Sequence, residues 1–260
     1  MRVSSLPVSV RVALWVTAAY AGRLPLDEAL ARASADLDVV SGRTERFRTW
    51  QDLGQHAVLV ALPHPGSPGL LPRGADVLAA AVEAGEALFV PGLGDVLVPT
   101  ISEFGPEGAA PDDRVWAVRW AAYAGEPVPV HAVDALDLRE AERRLREAVV
   151  AATTALEGLD AGAWASDGLR ELADARLGGG RWGLPQGLSE RARRVIAQAA
   201  ALGDVADMAL ERLRDAPGLA LTAQRTLHLR ALRDEADQVL AVASCVAALH
   251  LAGWRGPERD

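Results

Sequence analysis

Apolar positions recur at steps of three and four through the second half of the chain. Leu138, Ala141, Leu145, Ala148, Ala152 and Leu159 form one such stripe, and Asp137 stands three residues before Glu140 at the spacing of a helix capping box. The pattern predicts an amphipathic helix ending near Gly158, with Glu140–Arg144 and Glu142–Arg146 as stabilising pairs four residues apart on its outer face. A shorter helix is predicted from about Ser166 to Leu177, ended by Gly178. A third starts at Ser189 as N-cap, carries Val195, Ala199, Leu202, Ala206, Ala209 and Leu213, and stops at Pro217-Gly218. The fourth begins near Thr222; from Val239 to Ala252 it is apolar on nearly every side, which marks it as the most buried. Alanine-lined stripes let helix axes approach closely, so the simplest arrangement is an antiparallel bundle.

The first half mixes periods. Val8 to Ala21 alternates like a strand at its start but continues through Ala18, Ala19 and Ala21 to helical length, and helix is the favoured reading. Leu24-Pro25 opens a second helix, with Asp27 and Glu28 in its first turn, where the dipole favours acids. Ala57–Leu62 is a short apolar run bounded by Pro63, and Ala75–Ala84 is a further helix. Ala87–Val90 and Val96–Ile101 flank a Pro-Gly-Leu-Gly-Asp turn and read as a hairpin. Arg114 to Tyr123 is the clearest strand, with Trp116, Val118 and Trp120 on a single face.

The fold class that follows is α+β and predominantly helical. A small antiparallel sheet with covering helices is expected over residues 1–130, and an antiparallel helical bundle over 131–260. Gly125–His131, rich in Pro and Gly, is the expected linker, and the two halves could still share one core. No repeat of fixed period is evident.

Half of the residues are apolar, enough for a sizeable core, and the net charge is −8. All 27 basic side chains are arginine and lysine is absent. Asparagine is missing too and isoleucine occurs only at Ile101 and Ile196, the composition of a GC-rich bacterial genome. The lack of lysine excludes Schiff-base chemistry, the phosphate loop ending in Gly-Lys-Ser/Thr and the kinase catalytic lysine. The lone cysteine, Cys245, allows no intramolecular disulfide and suits a reducing, cytoplasmic setting. Its place in the apolar helix predicts a shielded, inert thiol. The opening apolar run is interrupted by Arg11, and no segment reaches the roughly 20 residues that span a bilayer.

Motifs for chemistry are few. Gly178 to Gly183 satisfies G-x-G-x-x-G and Asp204 follows about 20 residues later, but a helix precedes the glycines where the dinucleotide fingerprint needs a strand. The segment reads as an interhelical loop, in which Arg181 could hold a small anion. Asp204, Asp207, Glu211 and Asp215 on one helix and Asp234, Glu235 and Asp237 on the next could face a metal, yet no Glu-x-x-His accompanies them and arginines interleave. A charge-paired face is the better reading, and no metal or cofactor is expected. The five histidines are scattered; His64, in a Pro-Gly-rich loop, is the one best placed for reactivity. Arg43 to Trp50 is the densest basic and aromatic stretch, and aromatics packed on the sheet account for it better than a nucleic acid does on an acidic chain.

The sequence therefore suggests a cytoplasmic partner-binding or regulatory protein without recognisable catalytic sets, self-associating through its C-terminal helices. Whether it is an enzyme stays open. The alternative is an enzyme or binder of a small anionic ligand with a site between the two halves, for which His64, Arg73 and Arg181 are the candidate residues. A homo-oligomer or a protein partner is expected, no membrane, and a nucleic acid least of all.

Overall fold

The computed structural model describes residues 6–106, 113–157, 183–214 and 219–254. The chain forms two compact units. The first comprises the described residues of Met1–Leu136, Trp182–Ser189 and Ser244–Asp260; the second comprises those of Asp137–Arg181 and Glu190–Ala243.

In the first unit, helix α1 (Val8–Tyr20) is buried along almost its whole length. A helix with apolar residues on every side belongs inside a core, and the strand-like start of this segment gives way to that demand. Ser9 N–H donates to the Glu86 Oε2 carboxylate at 2.8 Å, so an acid from a distant loop occupies the positive end of the α1 dipole. Arg11, also buried, is neutralised by Asp36. Helix α2 (Leu26–Ala33) follows Pro25 as expected, with Asp27 and Glu28 in its first turn, and packs on α1.

Five strands form one sheet in the order β1-β5-β4-β3-β2, with β1 (Val39–Gly42), β2 (Leu59–Ala61), β3 (Ala87–Phe89), β4 (Asp95–Phe104) and β5 (Val115–Ala124). Four are antiparallel neighbours, including the expected β3–β4 hairpin. The fifth, β1, was not foreseen; it lies parallel to β5 at the edge, which makes the sheet mixed. It depends on Gly42, whose φ is +88° and where a Cβ would stand 2.2 Å from the Trp120 carbonyl oxygen. Helix α3 (Glu45–Asp52) turns Phe47 and Trp50 inward, with Phe47 edge-on to Trp50 at 5.5 Å and to Trp120 of β5 at 6.0 Å. Helix α4 (Ala75–Ala84) packs on β4 and β5, and α5 (Val130–Asp134) is a single short turn.

The second unit contains α6 (Leu138–Glu157), α7 (Glu190–Arg214) and most of α8 (Leu219–Leu251), whose last eight residues belong to the first unit. Asp137 caps α6 as its spacing implied, accepting from the N–H groups of Arg139 at 2.6 Å and Glu140 at 3.1 Å. Ala152, Ala206 and Leu232 meet in one cluster and Ala209, Leu213 and Leu229 in another, so all three helices contribute to this core. The pairs expected four residues apart on α6 are rearranged. Arg144 reaches Glu235 on α8 and Glu142 reaches Arg191 on α7, while Glu140 and Glu147 share Arg143. Partners on neighbouring helices win because they hold the packing together while satisfying the same charges. The helix expected over 166–177 lies outside the described residues.

Candidate functional site

The two edges of the sheet are treated in opposite ways. Strand β2 is buried, and its outer backbone groups are met by side chains from two helices. Thr17 Oγ1 of α1 accepts from Val58 N–H at 2.9 Å and lies 3.3 Å from the Val58 carbonyl; Cys245 Sγ of α8 accepts from Val60 N–H at 3.5 Å and donates to the Val60 carbonyl at 3.2 Å. One hydroxyl and one thiol, each both donor and acceptor, thus seal alternate residues of the edge. The Cys245 thiol is fully buried and desolvation pushes its pKa up to about 12, so it stays protonated, inert and able to donate.

At the other edge, all four residues of β1 are exposed and no described strand pairs with its outer side. Residues opposite one another in a ladder share a face. Val39 is opposite Ala117, two positions from Val115, and Val115 is opposite Phe104, so Val39, Val115 and Phe104 group on one face. Val40, Val118 and Ile101 form a row on the other. Phe104 is 58% exposed, and Val39, Val40, Val115 and Ile101 are each more than a third exposed. This end of the sheet therefore has an apolar border on both faces and an open backbone edge.

A second feature of the first unit is a cavity of about 610 Å³ beside α1 and α2. Trp15, Leu24, Pro25 and Pro185 give it apolar walls; Arg23, Glu28 and Arg32 bring charge. The Trp15 indole N–H donates to Gly183 O at 2.7 Å and Arg23 Nη1 donates to Gln186 O at 2.9 Å, so the segment 183–189 is strapped to the helices by two side chains. Arg32 pairs with Glu28 one turn earlier and stands over the Trp15 ring at 5.1 Å.

In the second unit, a groove of about 400 Å³ runs between α6 and α8, lined by alanines and bordered by Arg144, Glu147, His228 and Glu235. Arg233 bridges Asp207 and Asp237, so the acidic helix faces are charge-paired. Among the described residues no group of three His, Cys, Asp or Glu could hold a metal ion.

Of the three residues singled out from sequence, His64 and Arg73 are among the described residues. His64 closes a tight turn with Ser67 through reciprocal backbone bonds, and Arg73 forms an isolated backbone bridge with Glu126. Neither lines the two cavities, and Arg181 lies outside the described residues. The arginines that line the cavity beside α1 and α2 are Arg23 and Arg32, neither of them singled out from sequence; a signal that could have pointed there is Trp15, a core tryptophan whose N–H needs an acceptor. In the Arg43–Trp50 stretch the aromatics are core, while Arg43, Arg46 and Arg48 face Glu45, Asp95 and Asp27. That removes the stacking surface a nucleic acid would use.

Taken together, the molecule is an α+β protein of two units, the sheet in one and long helices in the other, with no described helix long and apolar enough to cross a membrane. Residues 9–135 match the N-terminal domain of the Rv1486c-like proteins and residues 139–256 match their C-terminal domain. The chain belongs to the Rv1486c-like family. No curated protein and no solved structure matches it.

Proposed function

We propose that this protein acts by binding other proteins, and that its first partner is a second copy of itself. The observation that carries the reading is the contrast between the edges: β2 is sealed by Thr17 and Cys245, whereas β1 is open with Val39 and Val40 exposed. Unpaired strand edges template pairing with another strand, and folds that avoid it blunt the edge with charge, proline or a covering element. Here the exposed residues of β1 are Val, Val, Ser and Gly. The occupant must offer an unpaired strand of its own, and a two-fold symmetric pair supplies one from each copy. The β1 edge supports self-association better than the C-terminal helices do, where Arg144–Glu235, Glu142–Arg191 and Arg233–Asp207 pair within their own unit. A free, protonated cysteine agrees with a cytoplasmic setting.

Size-exclusion chromatography with light scattering at tens of micromolar tests the proposal. The expected species has twice the 27.4 kDa chain mass and becomes monomeric in Val40→Lys, which places a charge on the edge. A monomeric parent refutes self-association; a dimer indifferent to Val40→Lys and Val39→Lys refutes the β1 surface.

A further inference from the structure

The cavity between α1, α2 and the 183–189 strap contains two guanidiniums and one carboxylate. Arg32 pairs with Glu28 and stands over the Trp15 ring, contacts that favour one orientation of its guanidinium. Among the described residues, Arg23 donates to Gln186 O and Arg32 to Glu28, each through a single nitrogen of its fork. An arginine carries five N–H donors, and those remaining on both side chains are available at the mouth of the cavity. The strap holds Arg23 through the Gln186 carbonyl, and the guanidinium lies against Gly187, where a Cβ would stand 1.7 Å from Nη1. A side chain at 187 would displace the guanidinium from this position.

Charge and shape together select a ligand class. Two cations against one paired acid favour an anion, and forked donors suit the oxygens of a carboxylate or phosphate. A volume near 610 Å³ falls within the range of small-molecule sites and far exceeds what an inorganic anion fills. The indole of Trp15 with Leu24, Pro25 and Pro185 offers the remaining space to a flat apolar body. We propose that this cavity binds a small organic oxyanion, a carboxylate or phosphate ester attached to an apolar ring, with Arg23 and Arg32 on the oxygens and the Trp15 side of the cavity against the ring. The site is independent of the β1 edge.

Saturation-transfer NMR on the full-length chain with phenylacetate, phenyl phosphate and benzyl alcohol provides the test, with the 15N-labelled Trp15 indole N–H as site reporter. At least one of the two anions is expected to saturate, to move the Trp15 signal and to bind at least about tenfold more tightly than the neutral alcohol. Whichever anion binds better identifies the head group. Arg23→Gln and Arg32→Gln should each weaken it by about tenfold with unchanged circular dichroism. In the unmodified protein, affinity should fall as sodium chloride rises. Equal binding of the alcohol, salt-independent affinity, folded arginine variants that bind like the parent, or no saturable binding up to about 10 mM would each overturn the proposal.

Discussion

Replacing Thr17 by valine keeps the shape of a buried side chain and removes the oxygen that seals Val58. Thr17 is fully buried, so water cannot take the place of its hydroxyl. The Val58 N–H, held at 2.9 Å, loses a good hydrogen bond; the carbonyl contact at 3.3 Å is long for a hydroxyl and weaker. An unsatisfied buried backbone group costs about 1–3 kcal/mol. Counting the N–H in full, the carbonyl in part, and a return of under about 1 kcal/mol from the added methyl, Thr17→Val should destabilise by about 2–3 kcal/mol. Thr17→Ser keeps the oxygen and loses one methyl, for about 1 kcal/mol. Urea unfolding followed by tryptophan fluorescence gives both values from the shift in midpoint at constant slope. A Thr17→Val protein within about 0.5 kcal/mol of the parent, or a serine variant damaged as much as the valine one, would refute the view that this hydroxyl closes the sheet edge.

Two further expectations concern buried polar groups. Burial raises the folded Cys245 pKa above its ordinary 9.0, so the stability this group contributes is complete below that pH and is lost as pH rises toward about 12. The loss should reach about 1.4 kcal/mol per pH unit and disappear in Cys245→Ser; Tyr20, also shifted upward by burial and by Asp52, adds its own loss above pH 10.0 in both proteins. An alkaline stability profile identical in parent and serine variant would contradict this. Arg233→Gln removes one partner of Asp237, which is 5% exposed, and one of Asp207, whose carboxyl burial already pushes upward. Because Arg233 retains some solvent, the cost should be about 2–4 kcal/mol, part of it recovered by adding Asp237→Asn; denaturation that finds the double variant no better than the single one would count against the bridge.

Much of this architecture could be read along the chain because periodic burial leaves a local signature. The α1, α4, α6 and α7 helices, the β3–β4 hairpin and β5 all carry their apolar period in consecutive residues. Strand β1 carries none: four residues exposed throughout give no alternation, and its partner strand is more than 70 residues away. The charged face of α6 shows the limit of spacing rules, since Glu142 has Arg146 four residues on and Arg144 has Glu140 four residues back, yet each pairs with a residue of another helix. The cavity beside α1 and α2 leaves no trace in the sequence for a related reason. Arg23, in the turn between α1 and α2, and Arg32, on α2, are exposed arginines, and the proposed site takes shape only with a strap more than 160 residues downstream, joined through Trp15 and Arg23.

The sealing of β2 by Cys245 has a consequence for how the chain is made. Val60 and Cys245 are 185 residues apart, so at synthesis rates of 5–20 residues per second the strand emerges roughly 10–40 s before its thiol partner exists. During that interval Thr17 can cover Val58 while Val60 stays uncovered, a nascent edge open to any passing strand. The N-terminal sheet thus has its β2 edge fully covered only once the last turns of α8 are made, and until then the backbone of Val60 lacks the thiol that meets it in the finished fold.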